Sequence, residues 1–438
     1  MKDKNCPRTG IIYCKDKQNF NFYLNDYTAT FMEPNHSEIH LDGNFLFGQT
    51  SGYNSIAIFK GDSIPSFSGS TALNTSAYLV AVENGLGTNW DSFDFIEFTG
   101  GILNSLFLCD ALKCEDMENG DILVHRQNTH KRWKFEIEDG CECELVIGSW
   151  IKQNFGLTGV SLTNNIVDMR LKFSRPQALE ASFKFIWKVK TVLSIMVGRA
   201  NVTFDEIYLR HNNPQLSKMQ LFLKNETQPV SKEMMKCITF HDLDEATPNL
   251  FNVIFNSKDA APSYEIGFLP NSAKDFSLIT NEKVRLICSS LECELSFCKD
   301  QKQSEEENLQ QLIQSVKSLI KAHRKGSERL SDKTYGLIYN SIKHWTMSAS
   351  DRICALYHQY DTEMNILNQT AMSLSDEDIK FFVKYRNDIT HGSYRVMNQK
   401  IALTAYLLQG LVYCCFLTRI GISRDQVTLL CHNKKILS

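Results

Sequence analysis

Charge of neither sign dominates this sequence: 47 lysines and arginines stand against 50 aspartates and glutamates over 438 residues, a formal net charge of −3. Such a balance excludes a whole-molecule electrostatic pull toward nucleic acid, so any surface for a polyanion must be local. Met1-Lys2-Asp3-Lys4-Asn5-Cys6-Pro7 is followed by no apolar run, and a signal peptide is not expected. The chain also lacks G-x-S-x-G, H-E-x-x-H, G-x-x-x-x-G-K-[ST] and G-x-G-x-x-G, so the commoner hydrolase, zinc-protease and nucleotide-binding templates are missing. No internal repeat or low-complexity tract is visible.

Cysteine is plentiful, at 14. Without a secretory signal, reduced cytosolic thiols are expected rather than a disulfide framework. Cys109, Cys114, Cys141 and Cys143 invite a zinc reading, but their spacing is not C-x-x-C. Trp133, Phe135 and Ile137 alternate with charged residues, and Asp139-Gly140 is a two-residue hairpin signal. Cys141, Cys143, Leu145 and Ile147 continue the alternation, opposite Glu136, Glu138, Glu142 and Glu144. The two cysteines therefore belong to the apolar face of a hairpin, and no metal site is expected.

What is present describes a water-soluble globular protein of two or three domains: 43% of residues are apolar and 22% charged. The first half reads as strands. Ile39 and Leu41 alternate before an Asp42-Gly43 turn, and Phe45 and Phe47 return. Further strands are expected at Phe20 to Met32, Ser76 to Val82, Phe93 to Thr99, Ile122 to His125 and Ile166 to Phe173, suggesting a sandwich or barrel-like domain. A helix is expected over 176–197, with Ser174 as cap, Pro176 in its first turn and Gly198 past its end. Leu179, Phe183, Ile186, Leu193 and Met196 would form its buried stripe. Val202 to Arg210 and Met219 to Leu223 read as strands again, followed by a less regular region to about Ala273.

From residue 274 the apolar period becomes helical. A helix is expected from about Asp275 to Phe297. Leu309, Leu312, Ile313, Val316, Leu319 and Ile320 make one face, and Tyr335, Ile338, Ile342 and Trp345 a weaker one. Ile353, Leu356, Tyr357, Tyr360, Met364 and Leu367 make another. Ser375 with Asp378 resembles a capping box ahead of Ile379, Phe382 and Val383. The polar run Lys299 to Asn308 reads as a solvated turn. The fold class is thus α+β multidomain: a β-rich unit at 1–273, with strands mainly at 9–175, then an all-helical bundle at 274–438.

The segment Ile401 to Ile420 is barely long enough to span a membrane and carries Thr404, Gln409, Gly410 and Arg419, so a buried core or dimer helix is expected. Ile401, Leu403, Ala405, Leu407, Leu408, Leu411, Val412, Cys415 and Phe416 put apolar groups on nearly every side. One bundle would cover only part of such a helix, and a second copy of the chain is expected to cover the rest.

Chemistry concentrates in Tyr385-Arg386-Asn387-Asp388-Ile389-Thr390-His391-Gly392. Positions five apart on a regular helix point about 140° away from each other. Gly392 implies that the helix ends near Thr390 to His391, which would free the imidazole to swing beside the guanidinium. Such a pair suits RNA cleavage: the 2′-hydroxyl is the nucleophile, histidine moves protons near neutral pH, and arginine's planar fork holds the phosphate. Lys380, Lys384, Arg395 and Lys400 would form a local basic patch opposed only by Asp388. By spacing alone, a helix-end salt bridge and a capping histidine is the favoured reading. His323, His344 and His358 are expected as surface or satisfied core histidines. Lys317, Lys321, Arg324, Lys325 and Arg329 read as a solvated helix face.

Arg386-Asn387-Asp388-Ile389-Thr390-His391 resembles the R-x(4–6)-H motif of HEPN ribonucleases, including a polar residue directly after the arginine. The layout, a long β-rich domain before a helical module, resembles the Apea-like HEPN anti-phage proteins. The resemblance implies a homodimer whose two motifs share a cleft and which cleaves RNA without metal or other cofactor, leaving 2′,3′-cyclic phosphate and 5′-hydroxyl ends. It assigns phosphate binding to Arg386, acid–base work to His391 and a hydrogen-bonding role to Asn387, with Lys384, Tyr394 and Arg395 as weaker substrate contacts. Ser393 stands where one HEPN branch has tyrosine, and Tyr394 comes one place later. The expected function is a cytoplasmic endoribonuclease of abortive anti-phage defence, with transfer RNA as target, a phage-derived protein as trigger and no membrane partner. The competing expectation is an inactive HEPN module for dimerisation or ligand binding, with a β-domain that binds protein or carbohydrate.

Overall fold

A computed structural model describes residues 8–13, 19–32, 44–60, 62–64, 70–82, 87–107, 112–117, 122–126, 130–156, 159–224, 236–257, 269–271, 275, 278–297, 307–325, 331–342, 348–368, 374–393 and 396–434. The expected turn at Asp42-Gly43, Cys109, most of Lys299 to Asn308, Arg329, His344 and Trp345 lie outside them. The chain divides into two compact units, Met1–Pro262 and Ser263–Ser438.

Among its described residues the first unit contains sixteen strands: β1 (Arg8–Tyr13), β2 (Asn19–Asn25), β3 (Thr28–Met32), β4 (Phe45–Thr50), β5 (Ser55–Phe59), β6 (Asp62–Ile64), β7 (Ser70–Asn74), β8 (Ala77–Val82), β9 (Ser92–Thr99), β10 (Leu112–Asp116), β11 (Ile122–Arg126), β12 (His130–Ile137), β13 (Cys141–Gly156), β14 (Gly159–Ala178), β15 (Glu206–Arg210) and β16 (Lys218–Leu223). Fourteen form one antiparallel sheet in the order β12-β13-β14-β9-β15-β16-β8-β5-β4-β1-β2-β3-β7-β6, and β10 and β11 pair separately. The segment expected as one strand from Phe20 is a hairpin, turned at Asp26-Tyr27 with Asp26 at φ +54°.

The sheet curls. Tyr27 Oη donates to the carbonyl of Leu223 at 2.5 Å, although β2 and β16 stand five places apart in strand order. Laid flat at about 4.8 Å per strand they would be about 24 Å apart. Ile12, Phe22, Phe31, Ile56, Leu73, Val80 and Phe222, drawn from seven strands, fill the inside of this curl. One continuous antiparallel sheet makes up most of the expected β-rich unit.

The β12–β13 hairpin keeps the expected alternation, with Cys141 and Cys143 buried on its apolar face. Its loop holds three residues, Glu138–Gly140, not two, with Gly140 at φ +67°. Glycine in that left-handed position is what a three-residue hairpin asks for.

Among the described residues four α-helices accompany these strands: the single turn α1 (Leu103–Leu106), α2 (Ala181–Val197), α3 (Phe240–Leu243) and α4 (Thr247–Phe255). Helix α2 begins five residues later than expected, because Ser174 and Pro176 belong to β14. Ser174 Oγ accepts from the Glu142 amide at 3.1 Å, and Pro176 lies where pairing with β9 skips from Lys172 to Gln177. A strand irregularity tolerates proline because no ladder donor is needed there. At the far end Gly198 closes α2 as expected, with Gly198 N–H on Ile195 O and Arg199 N–H on Ser194 O. The region expected to be irregular contains α4, whose Phe251 and Phe255 each lie 5.3 Å from the Phe135 ring of β12.

The second unit is all-helical: α5 (Asn281–Phe297), α6 (Glu307–Lys325), α7 (Asp332–Ile342), α8 (Ala349–Gln359), α9 (Asp361–Leu367), α10 (Asp376–Thr390), α11 (Gln399–Arg419) and α12 (Arg424–Lys434). The stripe from Ile353 to Leu367 was expected to be continuous, but Tyr360, at φ −109° and ψ 27°, breaks it into α8 and α9. Helix α12 follows the one expected to be last, burying Val427, Leu430 and Cys431.

Helix α11 is long and apolar enough to cross a membrane, yet 78% of its apolar window is buried inside the protein. Ile401, Ala405 and every residue from Leu407 to Leu417 are buried within one chain. That overturns the expectation that this helix needs a second copy for cover: α5, α9, α10 and α12 pack around it.

Candidate active site

Helix α10 carries the motif. Ser375 caps it with the expected box: Ser375 Oγ accepts from Asp378 N–H at 3.4 Å, and the Ser375 amide donates to Asp378 Oδ2 at 3.1 Å. Ile379, Phe382, Tyr385 and Ile389 are its buried stripe, spaced 3, 6 and 10 from the first. Tyr385 Oη donates to Asn281 Oδ1 of α5 at 2.7 Å. Burial of that stripe leaves Arg386 half-buried at its edge and Lys384, Asn387 and Thr390 exposed.

The helix ends where glycine marked it. His391 is the C-cap, its amide on the Asn387 carbonyl at 3.0 Å, and Ser393 N–H reaches back to the Asp388 carbonyl at 2.9 Å. Gly392 sits at φ +80°, the left-handed conformation this closure requires.

The Arg386 guanidinium turns toward α5. Its Nη2 lies 3.0 Å from Glu292 Oε1 and 3.2 Å from Oε2, on α5, and its Nη1 donates to Asn387 Oδ1 at 3.0 Å. The buried Cys288 thiol stands near this pair. Burial pushes its pKa up to about 12, with Arg386 opposing the rise and Glu292 adding to it. His391 is exposed, and among the described residues its ring makes no hydrogen bond or ion pair. Five residues of helical rise separate the two positions by ~7.5 Å along the axis. The structure thus brings Arg386, Asn387 and Glu292 together, and among the described residues no hydrogen bond joins Arg386 to His391.

Two of the four residues of the expected basic patch are ion-paired. Lys380 Nζ pairs with Asp351 at 2.8 Å, and Lys400 with Asp378. Lys384 stays exposed, and Tyr394 and Arg395 lie outside the described residues. His358 is a surface residue as expected, held between Asp376 at 2.7 Å and Asp361 at 3.5 Å.

Two residues that sequence reasoning missed support the motif from α5. Glu292 holds Arg386, and Arg285 Nη2 donates to the Ile389 carbonyl at 2.6 Å, covering an acceptor that the helix end leaves open. Their spacing of seven puts both on one face of α5, but a charged pair at that spacing reads from sequence as an ordinary solvated face. Farther off, Arg419 fastens α11 to α5 through Glu294, and Arg424 and Thr428 of α12 hold Glu363 of α9. Among the described residues no group of three or more His, Cys, Asp or Glu side chains is placed to hold a metal ion.

Set against protein-family models, curated proteins and solved structures, the chain matches none of them.

Proposed function

We propose that the helical unit is a HEPN-type, metal-independent endoribonuclease and that the β-rich unit restrains or triggers it. The observation that supports this reading most directly is the pairing of Arg386 with Asn387 beside the helix end that presents His391 to solvent. The guanidinium would bind the scissile phosphate, and His391 would take the 2′-hydroxyl proton and return one to the 5′-oxygen. Attack of the 2′-oxygen on phosphorus expels that 5′-oxygen and leaves a 2′,3′-cyclic phosphate. Asn387 keeps the fork from rotating.

Two copies of the motif facing one another would set the histidine of one chain near the arginine of the other, where among the described residues of one chain no hydrogen bond joins them. The dimer is proposed on that ground, no longer on an uncovered α11. Transfer RNA as substrate, a phage protein as trigger, a cytoplasmic site of action and a defence role stay with this proposal, by resemblance alone. The test is full-length protein incubated with bulk RNA in EDTA. Fragments ending in cyclic phosphate support the reading, and intact RNA with wild-type protein at a concentration where sedimentation shows dimer counts against it.

A second reading, a non-catalytic module, draws on one observation: Glu292 already occupies the guanidinium that a phosphate would need. RNA binding without cleavage in the same assay would favour it.

A further inference from the structure

We infer that Glu292 is a positioning residue of this site: its carboxylate, together with Asn387, sets the orientation in which Arg386 meets a phosphodiester. The inference rests on the ribonuclease reading above. A guanidinium has five N–H donors in one plane. Here Nη2 is committed to Glu292, at 3.0 and 3.2 Å, and Nη1 to Asn387 Oδ1, at 3.0 Å. Two acceptors from two directions remove the rotation that a long arginine side chain otherwise keeps, and the donors left over are those available to a ligand. Arg386 keeps 23% of its side chain open to solvent and Glu292 44%, so an anion can approach without displacing buried groups.

The same face of α5 fixes the other end of the motif. Arg285 holds the Ile389 carbonyl at 2.6 Å, two residues before His391, and Asn281 holds the Tyr385 hydroxyl at 2.7 Å, one residue before Arg386. Three side chains of one helix thus determine where both ends of Arg386–His391 sit. A surface ion pair contributes little to stability, so the Glu292–Arg386 contact is better explained by orientation than by folding. A misplacement of about 1 Å in such a group can lower a rate about a hundredfold.

The test compares Glu292→Gln, Glu292→Asp and Arg386→Ala in the full-length protein, reading kcat and KM separately on a defined RNA. Glu292→Gln should lower kcat at least tenfold and leave KM within about threefold, with partial rescue by aspartate and an unchanged thermal midpoint. Arg386→Ala should cut no RNA. Wild-type or faster cleavage by Glu292→Gln, beside an inactive Arg386→Ala, overturns the positioning role and leaves the ribonuclease reading standing. If Arg386→Ala cuts as the wild type does, or the wild type does not cut, that reading fails instead. The positioning claim is then decided without substrate, by nitrogen relaxation of the Arg386 guanidinium. A group ordered in the wild type and freed in Glu292→Gln upholds it, and equal mobility in both overturns it.

Discussion

Arg419 grips the carboxylate of Glu294 with two nitrogens: Nε lies 3.0 Å from Oε2 and Nη2 lies 2.9 Å from Oε1, and Glu294 is 1% exposed. The guanidinium also lies 4.4 Å from the Phe297 ring and 4.8 Å from that of Phe416. This joins α5, which supports the motif, to α11, the most buried helix of the unit. Removing one partner leaves a buried charge alone, which costs about 3–5 kcal/mol. Arg419→Ala should therefore shift the urea midpoint strongly downward. Replacing both residues by leucine should recover most of the loss, and equal losses in the single and double variants would show that the pair is not what holds the helices.

His391→Ala should abolish RNA cleavage and leave folding unchanged, because the ring is exposed and its only bond to α10 is through its backbone. Arg386→Lys should also fail, since an ammonium cannot satisfy Glu292, Asn387 and a phosphate in one plane. Circular dichroism and a cleavage assay on the same samples check both, and an active His391→Ala removes histidine from the mechanism.

Gly392→Ala places a Cβ at φ +80°. Among the described residues no atom lies within 4 Å of such a Cβ, so the penalty is conformational, about 1–2 kcal/mol. Asparagine tolerates this conformation better, and Gly392→Asn should lose less. Chemical denaturation orders the three proteins; alanine equal to glycine would mean that the helix end rearranges freely.

His358 is one surface source of pH-dependent stability. Donation from His358 Nε2 to the Asp376 carboxylate, with the nearby Asp361 charge adding, holds the His358 pKa above its usual 6.5 despite slight desolvation. The folded value exceeds the unfolded one, so the pair contributes fully below about pH 6.5 and its contribution is lost as pH rises through the folded value. The wild type should exceed His358→Gln in thermal midpoint at pH 5.5 by a small margin that vanishes by pH 8.5. A margin that grows with pH would reverse the assignment.

Local chemistry was legible in the residues, and distant chemistry was not. The alternation around Asp139-Gly140, the Ser375–Asp378 box and the closing glycines at 198 and 392 each report a backbone requirement met within a few residues. Ser174 and Pro176 misled because a serine followed by a proline fits a helix start and a strand irregularity alike. Helix α4 was missed because Leu250, Phe251, Ile254 and Phe255 cover too few turns to show a period. Glu292 and Arg285 reach the motif across 94 and 104 residues of chain, and no spacing rule operates at that range. The apolar α11 misled differently: composition records how much surface a helix must hide, and only packing records what hides it.

The tie between Tyr27 and Leu223 spans 196 residues. At a synthesis rate of about 5–20 residues per second, β16 leaves the ribosome ~10–40 s after the β2–β3 turn. Until then β8, whose inner-face residues Tyr78 and Val80 belong to the curl's core, has no partner on the side that β16 will take. The growing chain therefore holds an unpaired apolar strand edge for longer than a small domain needs to fold, and such an edge invites pairing with other nascent chains. Expression of the first unit should depend on translation speed and on chaperones that mask strand edges, whatever the second unit does to RNA.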